Sequence, residues 1–149
     1  MGLIGATHFF TMKYFSIKEL CKSNTAIKNK IDNHPTPQIE DNLKALIEEC
    51  LDPIREKFGK PITVTSGYRC PKLNRLVGGK PNSQHLKGEA ADLVGDTNAK
   101  TREIFEIAKK LGNYDQLLYE RNSRGSIWVH ISYKKAGNRH QCLDNYVVK

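Results

Sequence analysis

Asp92 stands inside the run Ala90-Ala91-Asp92-Leu93-Val94, and this placement constrains the fold more than any other feature of the chain. Apolar neighbours on both sides mark a strand that is at least half buried, where an unpaired carboxylate is costly. Asp92 therefore needs a cation or several hydrogen-bond donors. The same difficulty recurs at His130, within Trp128-Val129-His130-Ile131-Ser132. In a strand, Val129 and Ile131 point to the core while Trp128, His130 and Ser132 share the other face. His85 lies shortly before Asp92, in the loop Ser83-Gln84-His85-Leu86-Lys87-Gly88. Two imidazoles and one carboxylate make a three-ligand set that leaves a fourth zinc position open, as in a catalytic rather than a structural site.

The surrounding pattern reads as one α+β domain, a small antiparallel sheet with a zinc cleft, backed by helices. Ser16 and Glu19 fit a capping box at a helix start, with Phe15 stapled onto Leu20. Residues 23–36 are polar and turn-rich, a loop that ends at the cap Thr36-Pro37. Leu43, Leu46, Ile47, Cys50, Leu51, Ile54 and Phe58 form one helical stripe, closed by Gly59. Ile62–Thr65 reads as a strand, and Pro71 opens a short helix with Leu73, Leu76 and Val77 inward. A helix near 98–111 packs Ile104, Ile107, Ala108 and Leu111. Strands 115–120 and 126–132 form a hairpin about the polar turn Arg121 to Gly125. The domain is expected to span 14–149, after an N-terminal extension 1–13 in which Met12 is an alternative start.

The net charge of +8 favours an anionic partner. The basic residues are nevertheless spread out, with only short doublets such as Lys109-Lys110 and Lys134-Lys135. Without a basic stripe interleaved with stacking aromatics, nucleic acid is not the expected partner. No apolar run approaches the length of a membrane span. Residues 1–10 lack the basic flank and long apolar core of a signal peptide, so synthesis in the cytoplasm is expected. The four cysteines form no Cys-x-x-Cys pair, which argues against a disulfide framework and a four-cysteine zinc site. A monomer is expected.

A zinc hydrolase also needs a base for the attacking water. Glu120 and Asp115 are the acidic candidates on the strand before the turn. Gln116, Leu118 and Glu120 face one way, Asp115, Leu117 and Tyr119 the other, and Glu120 is the favoured base. Arg69, in Ser66-Gly67-Tyr68-Arg69, is suited to clamp a carboxylate or polarise a carbonyl.

Taken together, several segments resemble one family. They are Ser66-Gly67-Tyr68-Arg69, Asn74 with Gly78-Gly79, Ser83-x-His85-x-x-Gly88-x-Ala90-x-Asp92, Tyr114-Asp115-Gln116 and Trp128-Val129-His130. The chain is similar to the zinc D-Ala-D-Ala carboxypeptidases, metallopeptidase family fifteen, and within it to the small variant common in phage and prophage genomes. The hedgehog signalling domain shares that zinc fold. The resemblance covers about Tyr14 to Ser132. It implies His85, Asp92 and His130 as zinc ligands, Arg69 near the substrate carbonyl, and Ser83 behind a ligand or against substrate. Trp128, beside His130 on the same face, is a further candidate for substrate contact. Several branches carry the catalytic acid three residues before the last zinc histidine, where this chain has Ile127. The Tyr119-Glu120 pair resembles its counterpart in the hedgehog-like arrangement. The implied activity is hydrolysis of an amide bond in the peptide stem of peptidoglycan, by carboxypeptidase or endopeptidase action. A phage endolysin fits a wall-acting chain with no evident signal segment. The alternative is a zinc-containing module that binds wall peptide or a protein partner without cleaving it.

Overall fold

The structure is a computed structural model describing residues 12–148. Ser16 caps helix α1 (Ile17–Cys21) by accepting from the Glu19 N–H at 3.1 Å. The polar stretch that follows is not all loop. Ser23 caps a second short helix, α2 (Asn24–Lys28), by accepting from the Ala26 N–H. Thr36 then caps α3 (Pro37–Leu46). The helical path continues through a π turn, Ile47–Leu51, into α4 (Asp52–Phe58). Pro53 has no N–H for the Glu49 carbonyl, and Asn113 Nδ2 donates to that carbonyl instead, at 3.1 Å. Gly59 stops the helix in the left-handed conformation, φ 75°.

Five strands follow: β1 (Thr63–Ser66), β2 (Ala90–Val94), β3 (Gln116–Asn122), β4 (Ile127–Ser132) and β5 (Gln141–Val148). Between them lie α5 (Pro71–Leu76), a 3-10 turn at Gln84–Lys87 and α6 (Asn98–Leu111). The strand order is β1-β2-β4-β3-β5. The first four pair antiparallel, as expected. The fifth was not read from the sequence and runs parallel to β3, so the sheet is mixed. Its residues are exposed or half-buried, which leaves no apolar alternation to mark a strand.

One face of the sheet is core. Ala91, Leu93, Leu117, Val129 and Ile131 pack with the stripe from Leu43 to Phe58 and with Ile104, Phe105 and Ala108 of α6. These residues hold the sheet flat against the helices and leave its other face to carry polar groups. Three apolar side chains expected inside are about half exposed: Leu76 and Val77 at the end of α5, and Leu111 at the end of α6. Each sits in a last helical turn or just past it, where the chain turns away from the core. Lys13, assigned above to the extension, already docks on the domain: its N–H donates to Asp52 and its ammonium pairs with Glu56. Residues 1–11 of that extension lie outside the described residues. Among the described residues no helix is long and apolar enough to cross a membrane.

Candidate metal centre and cleft

The polar face of the sheet is set by strand register. Asp92 on β2 and Leu118 on β3 flank His130 on β4, and Glu120 on β3 lies opposite Trp128. Period-two alternation thus puts Asp92, His130, Glu120 and Trp128 on one face without a bend or bulge among them. Ile127 shares the phase of Val129 and Ile131, on the opposite side. Asp115 does not join this face. It is fully buried at the entry to β3 and is clamped by Arg139, with Arg139 Nη2 2.7 Å from Asp115 Oδ2. Of the two acidic candidates, Glu120 alone reaches the histidines: its Oε1 is 3.8 Å from His130 Nδ1.

His85 comes from the 3-10 turn that Ser83 caps by accepting the His85 N–H at 3.1 Å. Its Nδ1 lies 2.7 Å from the Gly67 carbonyl, which accepts from it and turns Nε2 toward Asp92. Gly67 is needed for this approach, because a Cβ there would stand 2.1 Å from the Leu20 carbonyl oxygen. The segment Ser66-Gly67-Tyr68-Arg69 therefore supports the site twice. Gly67 orients His85, and Ser66 Oγ accepts from Arg69 Nε at 3.1 Å. Asn74 completes the Arg69 cradle, its Oδ1 accepting from Nη1 at 3.1 Å while its Nδ2 donates to the Lys80 carbonyl. The structure thereby gives Asn74, conspicuous in the sequence only as part of a pattern, a positioning role. Arg69 Nη2 ends 3.9 Å from Asp92 Oδ2.

Two separations in the donor set lie close to those of a tetrahedral ion's ligands. His85 Nε2 is 3.5 Å, and His130 Nδ1 3.0 Å, from Asp92 Oδ1. Donors at about 2.0–2.1 Å from a tetrahedral zinc stand roughly 3.4 Å apart. One donor atom from each of the three residues lies within 4.8 Å of the others, a group that could hold a metal ion. Neutral imidazoles and an ionised carboxylate are what such an ion takes. Burial opposes charge on Asp92, but the two imidazoles outweigh it and hold the carboxyl well below the usual range. Burial lowers the pKa of His85, which keeps the ring neutral. Burial also acts against His130, but its hydrogen bond to Asp92 and the charges of Asp92 and Glu120 raise its pKa. Glu120 is pushed upward by burial and by the Asp92 charge, against the pull of His130, Trp128 and Arg69.

These groups line a cleft of about 760 Å³ that also receives Ser83, Gln116, Arg139 and Tyr146. Trp128 lines it too, and its indole Nε1–H donates to Glu120 Oε1 at 2.8 Å. The sequence pointed to Trp128 as a substrate contact and did not reveal this bond. Arg139 and Tyr146 were missed altogether, because both follow the segment with recognisable motifs.

Comparison with known proteins agrees with this geometry. A stretch of the chain is 50% identical over 44 residues to the zinc D-Ala-D-Ala carboxypeptidase of Streptomyces albus G. That stretch is 29% of this chain and spans 17% of the relative's length. A family model described as Peptidase M15 matches residues 13–132, from the docking of Lys13 to the last residue of β4. By a match over most of its length, the chain belongs to the Peptidase M15 family.

Proposed function

We propose that the protein is a zinc peptidase that hydrolyses an amide bond in the peptide stem of peptidoglycan, with His85, Asp92 and His130 holding the ion. When present, zinc supplies Lewis-acid polarisation of a carbonyl and brings the pKa of water to about 7. The other steps belong to side chains of the cleft. Glu120 takes the proton of the attacking water and returns it to the leaving amine. Its buried setting suits the work, since desolvation raises its pKa toward the range where a carboxylate can both accept and release a proton. Trp128 holds that carboxylate in place. Arg69, fixed by Ser66 and Asn74, donates to the carbonyl oxygen as negative charge develops there. Gly67 and Ser83 keep His85 aimed at Asp92.

The observation that carries this reading is the 3.8 Å approach of Glu120 to His130 on the shared face. A buried, tryptophan-held carboxylate beside a three-ligand metal group favours catalysis over binding alone. Support for the substrate comes from the named activity of the Streptomyces relative and from the basic charge of the chain, which suits an anionic wall. The test is digestion of purified peptidoglycan, followed by labelling of free amines and mass spectrometry of the muropeptides. New amino ends are expected with zinc-loaded protein, none after metal stripping or in His85→Ala, and recovery when zinc is restored to the stripped wild type. Cleavage by thoroughly stripped protein would sink the metal mechanism. Zinc uptake without any new ends would favour a non-catalytic module. The masses of the fragments identify the bond, and so separate carboxypeptidase from endopeptidase action.

A further inference from the structure

Arg139 lies beyond the family match, in the segment that leads into β5, yet its side chain reaches the cleft. It is unusually well fixed for a surface arginine. Asp115, fully buried, accepts from its backbone N–H at 2.7 Å, from Nε at 3.1 Å and from Nη2 at 2.7 Å. Gln84 Oε1, next to His85, lies 3.5 Å from the same Nη2. Nη1 has no partner among the described residues, and the side chain remains 52% exposed. A guanidinium clamped on one edge and open on the other is a ready receptor for a planar anion.

Its place along the sheet gives it a direction. Gln116 and Ser132 form the register pair two residues from the pair Leu118 and His130, and the Asp115 N–H bonds to the Ser132 carbonyl. At about 3.3–3.4 Å per residue, the Arg139 anchor stands roughly 7 Å or more from the His130 row. Glu120 and Trp128 lie on the other side of that row. Glu120 and Arg139 therefore stand toward opposite ends of the cleft, with the metal group between them.

We propose that Arg139 is a substrate-binding residue that receives a carboxylate of the stem peptide at the end of the cleft away from Glu120. This rests on the function proposed above. Two sources offer that chemistry, the carboxylate at the end of the stem and the free α-carboxylate of its isoglutamate residue.

Equilibrium binding separates the sources without requiring turnover. The zinc-loaded Glu120→Gln protein, with and without Arg139→Gln, is titrated with three synthetic stem pentapeptides: the free acid, its C-terminal amide, and the form carrying isoglutamine. With Arg139 present, one of the two amidated peptides is expected to bind about 10- to 100-fold more weakly than the free acid, as for loss of a charge-assisted hydrogen bond. With Arg139→Gln, the free acid should fall to that same level and the difference disappear. Since Arg139→Gln leaves Asp115 buried and unpaired, the double substitution Asp115→Asn with Arg139→Gln is run alongside as an amide pair. Zinc content and thermal unfolding are recorded for each. Equal losses for all three peptides, or none for any, overturn the carboxylate assignment while leaving the proposed function intact. Peptide discrimination that depends on Arg139, with no hydrolysis by the wild-type protein, upholds the assignment and removes the proposed function.

Discussion

Trp128 and Glu120 stand opposite each other on adjacent antiparallel strands, and the indole N–H donates to the carboxylate at 2.8 Å. The contact fixes a group that is 8% exposed and lines the cleft. It makes Trp128 more than a wall of the cleft. Its neighbour along the strand by two residues, His130, lies 3.8 Å from the same carboxylate oxygen, so strand geometry alone brings a candidate metal ligand, the proposed base and its support together.

Trp128→Phe removes the donor and keeps most of the aromatic bulk. The kcat for stem-peptide hydrolysis is expected to fall about tenfold, the low end for a hydrogen bond to a charged group. Zinc stoichiometry and KM should stay near the wild-type values. Steady-state kinetics together with metal analysis checks this. Unchanged kcat would mean that Glu120 is held without the indole.

Gly67→Ala places a Cβ against a backbone carbonyl that cannot move without shifting α1. A loss of at least about 2 kcal/mol in unfolding free energy is expected, comparable to overpacking in a core. Zinc affinity should fall with it, because the Gly67 carbonyl also orients His85. Urea denaturation of zinc-free protein reads the first effect, and competition with a zinc-binding dye reads the second.

Asp115 resists ionisation by its burial, but the hydrogen bonds and charge of Arg139 more than offset this and bring its pKa down to about 2. In the unfolded chain a carboxyl titrates near 3.9. A depressed folded-state pKa stabilises the protein above the unfolded value, and that stability is lost as pH falls from about 4 through about 2. Asp115→Asn should therefore be less stable than wild type at neutral pH, by about 1–2 kcal/mol once solvent screening of half-exposed Arg139 is allowed for. The difference should shrink toward zero near pH 2. Denaturation curves of both metal-free proteins from pH 7 to pH 2 give the comparison. A gap that stays constant with pH would show that the charge of Asp115 contributes nothing.

Much of this was legible in the sequence because it depends on local rules. Ser16, Thr36 and the stripe from Leu43 to Phe58 obey cap chemistry and helical period, and the face shared by Trp128, His130 and Ser132 follows from strand alternation. The burial of Asp92 followed from its apolar neighbours. What escaped depends on partners distant in sequence or on weak patterns. The Arg139–Asp115 clamp joins residues 24 positions apart, and nothing beside Arg139 marks it as part of a site. The strand β5 is an exposed edge whose side chains alternate poorly, and it forms because β3 offers a free ladder of backbone groups. Pro53 sits within the apolar stripe, so the stripe alone hides the π turn just before it.

The most direct measurement compares wild type with Glu120→Gln for zinc content and for stem-peptide turnover in the same preparations. Glutamine keeps the shape of the side chain and an oxygen to accept from Trp128, but it cannot take a proton from water. Both proteins should bind one zinc, and kcat for Glu120→Gln should fall at least about 100-fold, as for loss of a general base. Zinc-loaded Glu120→Gln that turns over at the wild-type rate would contradict a catalytic Glu120.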